Sequence, residues 1–141
     1  MTVNITNFLE GVPQQHKRSF LVAFTAALTG AFGNFRHGAC VMNKKIPLVA
    51  KPNTTKTHPK IMRFSNGHFC QHAEMACLLN LGFERSQGKK LYVVRINNSE
   101  NICNSKPCES CQRMIIAAGI DHVYYSTGTD ILWDSYDPKE N

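Results

Sequence analysis

The feature that most limits how this chain can fold is a pair of cysteines, Cys108 and Cys111, set one helical turn apart directly after Pro107. A Cys-x-x-Cys pair at a helix start brings two sulfurs close enough to share one tetrahedral metal ion. Pro107 in front and Gly119 behind predict that helix over Cys108 to Ala118. A second motif, His72-Ala73-Glu74, opens an apolar run that reads as a helix to Leu81, with Gly82 as its stop. His72 as a third donor gives a His-Cys-Cys set with one coordination position free. A free position marks a catalytic zinc rather than a structural one, so Zn2+ is the expected cofactor. The fold must therefore bring the starts of these two helices together.

Helix starts suit this chemistry. Their unpaired N–H groups and the helix dipole stabilise negative charge, and thiol pKa values fall there. Glu74, two residues beyond His72, leaves the helix on a different side from the ligand but can reach over the metal. Its expected role is proton transfer between water and substrate.

The other elements can be placed around these motifs. Gln14 to Ala31 reads as a helix, with Phe20, Phe24, Ala27 and Leu28 near one face. Ala39 to Met42 and Pro47 to Ala50 read as strands joined by a turn at Asn43-Lys44-Lys45. Lys51 to His68 reads as a long loop and Asn98 to Lys106 as a shorter one. Leu91 to Ile96 and Asp121 to Ser126 read as strands, and Ile131 to Trp133 as a short last one. Strands on either side of the Cys108 helix should run parallel, joined by a right-handed crossover. The order predicts a layered α/β fold with a mixed sheet of about five strands between helices. A length of 141 residues fits one domain over 1–141.

Composition narrows the partners. No segment is long and apolar enough for a membrane helix, and the first residues lack the pattern of a signal peptide. A cytoplasmic enzyme without membrane association is expected, with its six cysteines as thiols or metal ligands. A formal charge of +6 favours an anionic partner such as a nucleotide or a nucleic acid.

His-x-Glu followed by Pro-Cys-x-x-Cys resembles the signature of the zinc-dependent cytidine/deoxycytidylate deaminase superfamily. The resemblance extends over Ala39 to Ser126 and includes Ala117-Ala118-Gly119-Ile120-Asp121-His122-Val123-Tyr124-Tyr125, which looks like the family's exit from its second zinc helix. It implies a three-layer cytidine-deaminase-like fold and hydrolytic release of ammonia from a nucleobase. The metal would activate water and Glu74 would shuttle protons. It also implies that the Ala73 N–H reads the base edge, that Asn53 touches the sugar and that Tyr124 or Tyr125 lines the pocket. A Gly-x-Asn context is replaced here by Lys51-Pro52-Asn53. His58 is a candidate phosphate or sugar contact, or an ordinary loop histidine. Homo-oligomers are common in the family.

A histidine as first ligand argues against the small free-cytidine enzymes. It suits deoxycytidylate, free-cytosine, polynucleotide-cytosine and tRNA adenosine deaminases; the expected order is an enzyme acting on cytosine in a nucleoside, nucleotide or single-stranded nucleic acid first, and a tRNA-type adenosine deaminase second. The tyrosine pair leans toward cytosine. The rival from another class is a non-catalytic zinc module for nucleic acid. Cys103 or Cys70 could close the fourth position, although both read first as plain thiols, like Cys40 and Cys77.

Overall fold

The computed structural model describes residues 3–30, 35–54 and 72–140. A short helix α1 (Ile5–Glu10) is capped by Asn4, whose side chain accepts from the Asn7 amide at 2.8 Å. Helix α2 follows (Gln14–Thr29). It buries Phe20, Ala23, Phe24 and Ala27, the three-and-four spacing that the sequence shows. Strands β1 (Phe35–Asn43) and β2 (Ile46–Pro52) form an antiparallel hairpin.

Helix α3 (Ala73–Leu81) is apolar nearly all round and almost wholly buried. A single-turn helix α4 (Phe83–Ser86) leads to strand β3 (Lys90–Asn97). A two-residue strand β4 (Ile102–Cys103) doubles back on β3. Helix α5 (Glu109–Ala117), strands β5 (His122–Ser126) and β6 (Trp133–Tyr136) and a last 3-10 turn (Pro138–Glu140) complete the chain.

The sheet runs β2-β1-β3-β5-β6, with β4 paired to the far end of β3. β3 and β5 are parallel, as expected for strands joined through α5, and the other pairings are antiparallel. Side chains alternate across the sheet. Ala39, Val41, Leu91, Val93, Val123 and Tyr125 face α3 and α5. Cys40, Met42, Tyr92, Val94 and Ile96 face α2. The result is three layers: α2, the sheet, and the pair α3 and α5.

Helix α2 approaches β1 so closely that only glycine fits at position 38. A Cβ there would lie 1.9 Å from the Ala23 carbonyl oxygen and 2.4 Å from the Ala27 nitrogen. Strand β2 runs two residues beyond the expected end at Ala50, and Trp133 begins the last strand rather than ending it. β4 interrupts the loop expected over Asn98 to Lys106; its two residues are held by β3 and by a bridge from Ile102 to Val3. No helix of the described residues is long and apolar enough to cross a membrane.

Candidate metal centre

His72 and Cys108 are the N-cap residues of α3 and α5, and Cys111 lies in the first turn of α5. The packing of both helices on one sheet face brings the three side chains together. The His72 Nδ1 lies 3.2 Å from the Cys111 Sγ and 3.5 Å from the Cys108 Sγ. All three donor atoms fall within 4.8 Å of one another. Ligands around one tetrahedral zinc are about 3.5–3.8 Å apart, given bonds of about 2.0–2.3 Å. The donor set and its spacing therefore fit zinc.

The electrostatics are those of a site built for a cation. The pKa of Cys108 is lowered to about 3, first by its hydrogen bond with Cys111 and, against the opposing effect of burial, by that with His72. Cys111, buried and holding the shared proton, is pushed up. His72 is raised chiefly by its bond to Cys108. A divalent cation among them would replace these protons and favour two thiolates and a neutral imidazole.

The Cys108 loop is tied to the sheet by two buried serines. The Ser105 amide donates to the Ser126 carbonyl at 2.8 Å, and the Ser105 hydroxyl to the Val93 carbonyl at 2.8 Å. The Ser126 amide donates to Ser105 Oγ at 2.9 Å, and the Ser126 hydroxyl to the Cys103 carbonyl at 2.7 Å. This clasp carries the chain from β4 to Pro107 and fixes where α5 begins.

Glu74 is 3 % exposed, and its Oε1 is buried without a hydrogen-bond partner among the described residues. Burial raises its pKa, against the opposing pull of hydrogen bonds and of His72. A buried carboxylate oxygen left unpaired costs about 1–3 kcal/mol or more. Glu74 lies next to three candidate metal donors, with Cys111 as a hydrogen-bond partner. Ala73, wholly buried, is the first residue of α3, so its N–H has no acceptor within the helix.

The remaining expected residues separate. Tyr125 lies in the core that contains Ala73 and Cys111, and its hydroxyl donates to Asp134 Oδ2 at 3.4 Å. Tyr124 points the other way, a correction to its expected place at the pocket. It packs on the α2 face against His16, Tyr92 and Trp133, because adjacent strand residues take opposite sides of a sheet. Asn53 sits just past β2, where its Oδ1 accepts the His37 amide at 3.0 Å. His58 and Cys70 lie outside the described residues. Cys103 is not part of the metal cluster; its thiol turns to the Asn101 carbonyl. Cys40 and Cys77 are buried thiols bonded to the carbonyls of Ser19 and Ala39.

Three neighbours were not anticipated. His37 on β1 places its ring nearly parallel to that of His72, centroids 6.4 Å apart. Burial first, then Arg95, lower its pKa to about 4. Arg95 stands opposite His37 on β3. The hydroxyl of Tyr136 on β6 is buried and unpaired among the described residues; burial, then the charges of Glu74 and Cys111, push its pKa up. Arg95 had a signal in the sequence, as one charge inside the apolar run Leu91 to Ile96. His37 and Tyr136 had none, since neither belongs to a spaced motif.

The sequence model described as the cytidine and deoxycytidylate deaminase zinc-binding region matches residues 13–127, a span that includes all four residues of the centre. Among solved structures, the chain is similar to the dCMP deaminase of cyanophage S-TIM5, with a TM-score of 0.60, 23% identity, and coverage of 84% of this chain and 87% of that one. It is also similar to the cytidine deaminase of Burkholderia pseudomallei, with a TM-score of 0.62, 16% identity, and coverage of 89% and 94%. A comparison with curated proteins finds no match. The sheet flanked by helices is thus the cytidine-deaminase-like fold expected from the sequence.

Proposed function

The chain belongs to the zinc-dependent cytidine and deoxycytidylate deaminase family, and from that premise we propose that it hydrolyses the exocyclic amine of cytosine, carried by a nucleoside, a nucleotide or a single-stranded nucleic acid. The observation that carries this reading is Glu74, a buried carboxylate with one unpaired oxygen beside a three-donor cluster. His72, Cys108 and Cys111 would hold the zinc. When bound, zinc supplies a Lewis acid that brings the ionisation of water near neutrality.

The chain's own residues do the rest. Glu74 takes a proton from the attacking water and passes protons to the ring nitrogen and to the departing amine, so that water and cytosine become uracil and ammonia. Its raised pKa suits a group that must both accept and return a proton near neutral pH. The Ala73 N–H, which has no acceptor within its own helix, would hydrogen-bond the edge of the base. With its Oδ1 engaged by His37, Asn53 has its amide nitrogen left for the sugar. Helices α3 and α5, buried against one sheet face, keep bulk water from the carboxylate.

The test is a mass-spectrometric screen of cytosine and adenine nucleosides, nucleotides, single-stranded DNA and RNA for a gain of about one dalton. Conversion of a cytosine substrate is expected. Glu74→Ala is expected to lower the rate by at least about 10²–10⁴-fold while zinc content stays near that of wild type. Full activity in that variant would refute the assigned role. Conversion of adenine alone would favour the tRNA-type reading, and no conversion at all would favour a binding module.

A further inference from the structure

On the centre's side of the sheet, one cation, Arg95, has no carboxylate partner among the described residues, and its Nε is buried without a partner among them. The guanidinium is nonetheless held in place. It lies over the Phe35 ring, 4.0 Å from the centroid, and one Nη donates to the Asn104 carbonyl at 3.5 Å. These supports come from the two elements that frame the metal cluster. Phe35 begins the strand that carries His37, and Asn104 belongs to the loop that delivers Cys108. Arg95 is paired across the sheet with His37, whose ring faces that of His72.

An arginine in this state is incomplete. The buried Nε lacks an acceptor among the described residues, and the planar fork matches two oxygens of a phosphate. Cation–π contact with Phe35 orients the fork but satisfies none of its N–H groups. A carboxylate from the protein would have neutralised it, as Glu100 does for Arg36 at 4.0 Å on the same strand pair. None is supplied to Arg95. The place where it lacks an acceptor is one residue, His37, removed from the metal donors.

We propose that Arg95 is a specificity-determining residue that receives a phosphate of the substrate, so that the enzyme acts on cytidine phosphorylated at the sugar in preference to the free nucleoside. This rests on the deaminase reading of the same site. The chain's charge of +6 serves the same preference by drawing anionic substrates toward it.

The test compares cytidine, cytidine 5′-monophosphate and a short single-stranded oligonucleotide with one cytosine, using zinc-loaded wild type, Arg95→Ala and Arg95→Lys. Wild type is expected to favour a phosphorylated form in kcat/KM. Arg95→Ala should reduce the ratio of phosphorylated to free substrate by about 10- to 100-fold, the worth of a charge-assisted hydrogen bond. Most of the change should fall in KM. Arg95→Lys should recover part of it, since lysine is a point charge without the fork. The KM for the phosphorylated substrate should rise with salt in wild type and lose that dependence in Arg95→Ala. Preference for the monophosphate or for the oligonucleotide identifies the phosphate's source, and either supports the proposal. An unchanged ratio, or equal losses on all three substrates, would overturn it. If wild type deaminates none of them, the wider substrate screen decides the parent reading and calorimetry decides the phosphate site separately. Tighter binding of the monophosphate than of cytidine, lost in Arg95→Ala, would uphold the phosphate site, and equal binding would end it.

Discussion

On the α2 face of the sheet, His16 sits 8 % exposed and its Nδ1 meets the Tyr92 hydroxyl at 2.6 Å. Tyr124, Trp133 and Phe20 pack their rings around this pair. On the α3 and α5 face, the sheet again buries histidine and tyrosine, but there Glu74, Tyr136 and Arg95 each keep a buried polar atom without a partner among the described residues. One face is closed in its hydrogen bonding and the other is left open. Folding tolerates the open face because the closed one, with the apolar cores, holds the sheet. What stays unpaired lies on the side of the metal donors, where a substrate can complete it.

The comparison gives signed predictions. The largest effect is expected on the closed face. Tyr92→Phe removes the partner of His16 and should cost about 1–3 kcal/mol in denaturant unfolding, with zinc content and deaminase rate unchanged. Loss of zinc in that variant would show that the faces are not independent. Tyr136→Phe is the mirror case. It removes a hydroxyl that has no partner among the described residues, so stability should hold or rise by up to about 1 kcal/mol. A loss as large as that for Tyr92→Phe would break the contrast.

The smallest effect concerns pH. Burial lowers the pKa of His16, with Lys90 and His122 adding to the shift. The unfolded chain therefore binds this proton more readily than the folded one. The contribution of His16 is complete above about pH 6.5, the ordinary histidine value, and is lost as pH falls below it. Unfolding midpoints measured between pH 7 and 5 should fall less steeply in His16→Gln than in wild type. An equal slope would mean that His16 titrates the same way in both states.

Much of the centre was legible because its residues lie close in sequence. Cys108 and Cys111 are one helical turn apart, and His72 and Glu74 share one helix start. Local spacing of this kind survives any tertiary arrangement. The central strands were legible for a similar reason: β3 is buried on both faces and reads as one apolar run. The parts that were missed depend on distant partners. Ile102 and Cys103 form a strand only because β3 and Val3 are beside them. Tyr124 and Tyr125 looked equivalent as neighbours, and only the face assigned to each by the register of β5 on β3 separated them.

By itself, the sequence determined the donor set: two helix starts, three candidate metal donors and a carboxylate next to them, fixed by spacing within a few residues. The tertiary structure decided what surrounds that set. It set His37 beside His72, left Arg95 without a carboxylate and turned Tyr124 away. These are consequences of cross-strand register and sheet face, which join residues far apart along the chain and leave no periodic trace in it.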